Sequence, residues 1–152
     1  MLILTGGGEK CFSAGFDVSD AANAHKTSPK ARELWRRIDR FPKPVIAAIN
    51  GYALGGGCEF AMSCDVRIAA ESAKFGFPET DVGLTITTAG TKLLAQIVGL
   101  GKAKELVFTG DFIDAREAMA IGLANKVVAA ESLLDESMAM ARRIGEKSPL
   151  AL

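Results

Sequence analysis

Three successive glycines, Gly55-Gly56-Gly57, separate an apolar run from an acidic residue, Glu59, and no other stretch restricts the fold as much. The run before them, Pro44-Val45-Ile46-Ala47-Ala48-Ile49, is short and wholly apolar, as a buried strand is, and Asn50-Gly51 signals a turn at its end. After the glycines, Glu59-Phe60-Ala61-Met62-Ser63 reads as the first turns of a short buried helix. Backbone N–H groups at a helix start have no intrahelical acceptor, and the macrodipole adds roughly half a positive charge there. Glycine lets another molecule approach that backbone. Two readings follow: a tight turn with Glu59 complementing the helix dipole, or a site that holds an oxyanion beside a carboxylate able to move a proton.

A chain of 152 residues makes about one domain, and its 49% hydrophobic content suffices for a core. No stretch is long and apolar enough to cross a bilayer, and Met1-Leu2-Ile3-Leu4 lacks the charged start of a signal peptide, so a cytoplasmic location is expected. Eighteen basic and eighteen acidic residues cancel, which removes any general attraction to nucleic acid or an anionic membrane. An anionic ligand must therefore be held locally. Cys11, Cys58 and Cys64 form no CxxC pair and leave one over, which argues against a disulfide framework and a zinc site; reduced, mostly buried thiols are expected. The lone His25 lies in a polar stretch with no second histidine, so it reads as a surface residue and no metal site is expected. The chain opens directly into the strand-like Leu2-Ile3-Leu4 and stops just after Lys147-Ser148-Pro149. Because a buried strand needs neighbours on both sides, further elements are expected before Met1 and after Leu152.

The remaining pattern predicts a strand at 2–5, a glycine turn at 6–8, and a loop in which Asp17 caps a short helix running through Val18 to Ala22. A polar break at 25–29 leads to a helix from about Pro29, a favoured first-turn residue, to Arg40. On it Leu34, Trp35, Ile38 and Phe41 form a core stripe. Arg32, Arg36, Arg37 and Arg40 form an outer face that either meets a phosphate or, as is commoner, is solvated. Strands are expected at 44–49, 65–70, 74–77 and 125–128, with Pro78 ending the third and delivering Glu79 onto a loop. Helices are expected at 88–98, 102–108, 114–121 and 131–145. This is an α/β pattern without a regular long repeat.

In order along the chain, Leu4-Thr5-Gly6-Gly7-Gly8, Phe12-Ser13-Ala14-Gly15-Phe16-Asp17 and the segment from Lys43-Pro44 to Gly55-Gly56-Gly57-Cys58-Glu59 resemble the crotonase superfamily, the enoyl-CoA hydratases and isomerases. Cys64-Asp65, Phe77-Pro78-Glu79, Thr109-Gly110-Asp111 and Gly122-Leu123-Ala124-Asn125-Lys126-Val127-Val128 extend the resemblance over essentially the whole chain. It implies a single crotonase-like domain, a spiral of repeated strand-strand-helix (ββα) units, binding an acyl-CoA thioester in a cleft and assembling as a homotrimer or hexamer. Members of the superfamily are longer. The chain is thus expected to be a truncated member, with N-terminal strands and C-terminal trimerisation helices largely missing.

The resemblance also implies roles. The backbone N–H groups of Phe16 and Gly56 would form an oxyanion hole for the thioester oxygen; Phe16 stands where many hydratases carry alanine, and narrows the pocket without removing the donor. Glu59 would activate the water that attacks Cβ, and Glu79 would supply the proton to Cα, which requires two carboxyl groups in different protonation states. Ala14, Asp17 and Val18 would help to hold the CoA adenine and pantetheine arm. Two departures stand out: Val18-Ser19 replaces the family's isoleucine-lysine, removing a charge near the CoA phosphates, and Ile86, Thr87 and Ala89 stiffen and bulk up the loop from Gly83 to Thr91 beside the acyl pocket, which is usually proline- and glycine-rich. Acyl-CoA is the expected substrate, with no cofactor, no metal, no nucleic acid and no membrane partner.

The leading expectation is reversible hydration of a trans-2-enoyl-CoA to a 3-hydroxyacyl-CoA. A different crotonase-type reaction, such as isomerisation, thioester hydrolysis or ring cleavage, would use the same oxyanion hole with other proton carriers. A non-catalytic binding subunit, or an inactive fragment, is the alternative outside enzymology, and the absence of an aromatic-basic patch argues against RNA.

Overall fold

The computed structural model describes residues 1–17, 19, 24–87 and 89–151, of which 24–28 as backbone. The chain runs β1 (Leu2–Thr5), β2 (Cys11–Ser13), α1 (Ala24–Asp39), β3 (Val45–Ile49), β4 (Tyr52–Leu54), α2 (Gly56–Met62), β5 (Val66–Ala70) and β6 (Lys74–Gly76). A 3-10 turn at Pro78–Val82 and a π-helical turn at Gly90–Leu94 follow, the latter running into α3 (Ala95–Val98). Then come α4 (Leu100–Thr109), β7 (Ile113–Asp114), α5 (Ala115–Ala120), β8 (Lys126–Val128) and α6 (Leu133–Gly145).

One sheet has the order β1-β3-β5-β8, parallel throughout, with Leu2 opposite Val45, Ile46 opposite Val66, and Ile68 opposite Lys126. The second has the order β2-β4-β6-β7, parallel except for the β6–β7 pair. Each of the first three coils therefore contributes one strand to the first sheet, turns, contributes the next to the second, and returns, whereas β7 joins the second sheet antiparallel to β6 before β8 completes the first. This is the expected ββα spiral. All five residues of β3 are sealed from solvent, and alternation along it separates two cores. Val45, Ala47 and Ile49 pack with Cys58, Phe75 and Leu106, whereas Ile46 and Ala48 face Leu133 and Ala141 of α6.

Adjacent coils are tied at their corners. Asn50 Oδ1 accepts the Gly6 N–H at 3.0 Å, while its Nδ2 donates to the carbonyls of Gly8 at 2.8 Å and Cys11 at 3.3 Å. A Cβ on Gly6 would lie 1.9 Å from the Cys11 carbonyl oxygen, so that corner closes only with glycine.

Three differences from the sequence-based expectations concern position. Helix α1 begins at Ala24 and carries Pro29 inside it, although an interior proline removes a donor and crowds the carbonyl four residues back. Its apolar stripe is not a core stripe: Leu34 is 48% and Phe41 39% exposed, and Trp35 and Ile38 are half-buried. The helix expected at 88–98 is the π-helical turn followed by α3, and Thr88 lies outside the described residues. The short strands β2, β4 and β7 are additional to those expected: β2 lies in the stretch read as a loop, β4 directly before the glycine step, and β7 at the start of the helix expected at 114–121. Cys58 and Cys64 are buried free thiols and Cys11 is partly covered. The side chain of His25, and the helix expected from Val18 to Ala22 apart from Ser19, lie outside the described residues.

Candidate active site

The glycines that dominate the sequence form the step from β4 into α2. Gly55 has φ +52°, a left-handed conformation that favours glycine, and its N–H donates to the Gly76 carbonyl at 2.9 Å. Gly57 lies so close to the neighbouring coil that a Cβ there would sit 2.0 Å from the Ser13 carbonyl oxygen. Gly15, with φ +81°, approaches from the same side, and a Cβ on it would be 2.7 Å from the Gly56 nitrogen. The Gly15-Phe16 loop is thus pressed against the N-terminus of α2, whose leading N–H groups have no acceptor within the helix.

This junction opens onto a cleft of about 1400 Å³. Phe16, Asp17, Gly56, Glu59 and Glu79 all line it, so five of the seven sequence-predicted site residues are brought together. Ala14 is exposed and lies between the lining residues Ser13 and Gly15 without lining the cleft itself. Val18 lies outside the described residues. Asp17 Oδ1 accepts the N–H of Ser19 at 2.9 Å and its hydroxyl at 2.6 Å, which fixes the acid at the end of the loop.

The two glutamates differ in environment. Glu59, on α2, is only 2% exposed, and its Oε1 accepts the Gly90 N–H at 2.9 Å. Glu79 is delivered by the 3-10 turn that Pro78 opens, and the turn is tied to α4 by the Thr80 hydroxyl donating to the Val107 carbonyl at 3.1 Å. Its Oε1 rests against Gly55, and its Oε2 is buried with no hydrogen-bond partner among the described residues. Burial raises the Glu79 pKa above the ordinary carboxylate value, a backbone hydrogen bond opposes that in part, and the negative charge of Glu59 raises it further. The cleft therefore holds a carboxyl group biased towards its protonated form near a hydrogen-bonded one.

Two contributors were not singled out from the sequence. Trp35 was assigned to the core, but its ring edge approaches Gly56, about 3.7 Å from where a Cβ there would sit, and α1 forms one wall of the cleft. Helical periodicity marks an apolar face and cannot say whether protein or ligand covers it. Gly90 was read as part of a loop beside the acyl pocket, and only the three-dimensional packing reveals its bond to Glu59. Of the arginine face of α1, Arg32 and Arg36 line this cleft, while Arg36, Arg37 and Arg40 also border a second hollow of about 450 Å³ that contains neither Glu59 nor Glu79.

Behind Glu59, Cys58 is fully buried, and burial pushes its thiol pKa well above the ordinary value. Cys64 is pushed up to about 12 by burial, and Arg67 is lowered by the same cause. Arg67 spans the core by donating through Nε to the Leu123 carbonyl and through Nη1 to the Cys64 carbonyl, both at 2.7 Å. No helix among the described residues is long and apolar enough to cross a membrane.

Comparison with known proteins agrees with this architecture. The model of the enoyl-CoA hydratase/isomerase family matches residues 1–152. A crotonyl-CoA hydratase of Syntrophomonas wolfei is 49% identical, with the match covering 100% of this chain and 60% of that protein. A short-chain-enoyl-CoA hydratase of Clostridium acetobutylicum is 46% identical over 99% of this chain and 60% of its own length. Among solved structures, an enoyl-CoA hydratase from Bacillus anthracis superimposes with a TM-score of 0.94 at 41% identity, over 99% of this chain and 60% of that one. The chain thus spans about 60% of the length of these relatives.

Proposed function

The chain belongs to the enoyl-CoA hydratase/isomerase family, and from that membership we propose that the protein reversibly adds water across the double bond of a trans-2-enoyl-CoA, giving a 3-hydroxyacyl-CoA. The observation that carries this reading is the pair of unlike carboxyl groups on one cleft: Glu59, hydrogen-bonded and buried, and Glu79, with a raised pKa. Hydration needs that asymmetry, because one group must accept a proton while the other gives one up.

The thioester oxygen lies between the N–H groups of Phe16 and Gly56, where the positive end of α2 stabilises the charge that develops as water adds. Glu59 takes a proton from the water while its oxygen bonds to Cβ, and the electron pair of the C=C bond moves towards the thioester. Glu79 then gives its proton to Cα as the enolate collapses. Glu59 has gained one proton and Glu79 has lost one, so return of a proton through the next water restores the pair. The reaction consumes no cofactor. Asp17, with Ala14 and Val18 beside it in sequence, belongs to the wall that holds the CoA arm, and a cleft of about 1400 Å³ has room for a ligand larger than most small molecules.

The names of the two curated relatives support a short acyl chain of the crotonyl type. A homotrimer, or a pair of them, is the assembly we propose, and the exposed Leu100, Phe108 and Phe112 are apolar surface that assembly would cover. A cytoplasmic location suits a substrate with a charged CoA moiety. Incubation with crotonyl-CoA, following the absorbance of the conjugated thioester, tests the reaction. No loss of that absorbance with well-folded protein at high concentration would sink the assignment.

A further inference from the structure

The carboxylate of Glu59 is held from outside its own helix. Its Oε1 accepts the N–H of Gly90 at 2.9 Å in a buried contact, and Gly90 is the first residue of the π-helical turn Gly90–Leu94. In that turn the Ala89 carbonyl accepts from both Lys92, at 3.2 Å, and Leu93, at 2.7 Å. Such wide turns insert one residue into a helical course and re-aim the backbone, and they recur at functional sites. Here the course brings a backbone N–H onto the carboxylate.

Space makes position 90 as specific as the bond does. A Cβ added there would lie 2.8 Å from Glu59 Oε1, 3.4 Å from Glu59 Cγ and 3.4 Å from Ile86 Cβ. Gly90 is not among the residues with a positive φ, so alanine suits its backbone. The atom in closest conflict is the far end of a flexible side chain. Alanine at 90 would therefore displace the Glu59 carboxylate in preference to opening the core.

We propose that Gly90 is a positioning residue for the hydration reaction, its N–H and its missing side chain together holding the Glu59 carboxylate in the orientation that activates water. This rests on the function proposed above, and it assigns to the loop at 83–91 a role in setting the base as well as in shaping the acyl pocket. The loop residues Leu84, Thr85, Thr87 and Ala89 line the same cleft, so one segment forms part of the substrate wall and anchors the base.

The test compares two glycine-to-alanine changes in helical turns. Gly90→Ala is expected to lower kcat by about 10²-fold, the scale of a misplacement of roughly 1 Å, with KM within about threefold and an undiminished melting temperature. Gly101→Ala, on α4 and facing open space, is expected to leave activity unchanged. An infrared difference spectrum against Glu59→Gln isolates the Glu59 carboxylate band, which is expected to shift in Gly90→Ala because the N–H no longer donates. If Gly90→Ala fails to fold, an amide-to-ester replacement at residue 90 removes the donor without adding an atom at Cα and carries the same expectations. A kcat within threefold of the parent, or an unmoved Glu59 band, overturns the proposal. The band is read without turnover, so a parent protein that hydrates nothing counts against the proposed function and still leaves the hold on Glu59 to be decided by the spectrum.

Discussion

The Glu79 carboxylate rests where a side chain at position 55 would have to go: a Cβ on Gly55 would lie 3.0 Å from Glu79 Oε1 and 3.4 Å from its Cδ. Gly55→Ala therefore meets two penalties at once, the second being its φ of +52°. A destabilisation of about 1–2 kcal/mol from the backbone is expected in urea unfolding, together with a fall in kcat as Glu79 is pushed aside. Full activity at an unchanged urea midpoint would contradict this.

Glu79→Gln separates the proposed catalytic role of that side chain from its electrostatic one. Its kcat is expected to drop by about 10²–10⁴-fold, because an amide cannot give up the proton. The pH dependence of stability follows from the raised pKa. Below the ordinary value of 4.5 the carboxyl is protonated in both folded and unfolded chains. Between that value and the raised folded one, the unfolded chain has released a proton that the folded chain keeps, so the parent loses stability as pH rises through this window. Glutamine does not titrate. Melting temperatures across the window should show the variant gaining on its parent as pH rises and levelling off above it, and a constant difference would refute the shift.

Gly15→Ala tests the approach of the loop to α2. The new Cβ would sit 2.7 Å from the Gly56 nitrogen, which is backbone and cannot swing away, and φ at 15 is +81°. Displacing one of the two proposed oxyanion donors is expected to cost about 3 kcal/mol in kcat/KM, or roughly 10²-fold. Gly7→Ala, with nothing nearby, is the control in steady-state assays with crotonyl-CoA.

Arg67→Met probes the core behind the site. It leaves the Leu123 and Cys64 carbonyls without their 2.7 Å donors, and a loss of about 3 kcal/mol is expected in urea unfolding. Activity per folded molecule should change little, since Arg67 does not line the cleft. A stability within experimental error of the parent would show that those carbonyls find other partners.

The strand at 45–49 and the glycine step after it were legible because burial on both faces and a tight turn leave direct marks on composition. Glu79 was legible only through the family pattern, since a glutamate after a proline is commonly a solvated loop residue. What stayed hidden depends on contacts between distant segments. The bond from Gly90 to Glu59 joins residues 31 apart, and β2, β4 and β7 of the second sheet are two or three residues long and acquire their identity from neighbouring coils. Trp35 was misread for a related reason: its apolar face was correctly located and its covering was not.

The burial of Cys58 acquires a chemical meaning beside the α,β-unsaturated thioester of the proposed reaction. Such a compound is a Michael acceptor, and a thiolate one residue from Glu59, the proposed base, would add to the carbon intended for water and leave the protein alkylated. The nucleophilic form is the thiolate, and desolvation keeps Cys58 protonated while it faces the core away from the cleft. A site that handles an electrophile, as proposed for this one, can thus keep a soft nucleophile next to its base without presenting it to the substrate.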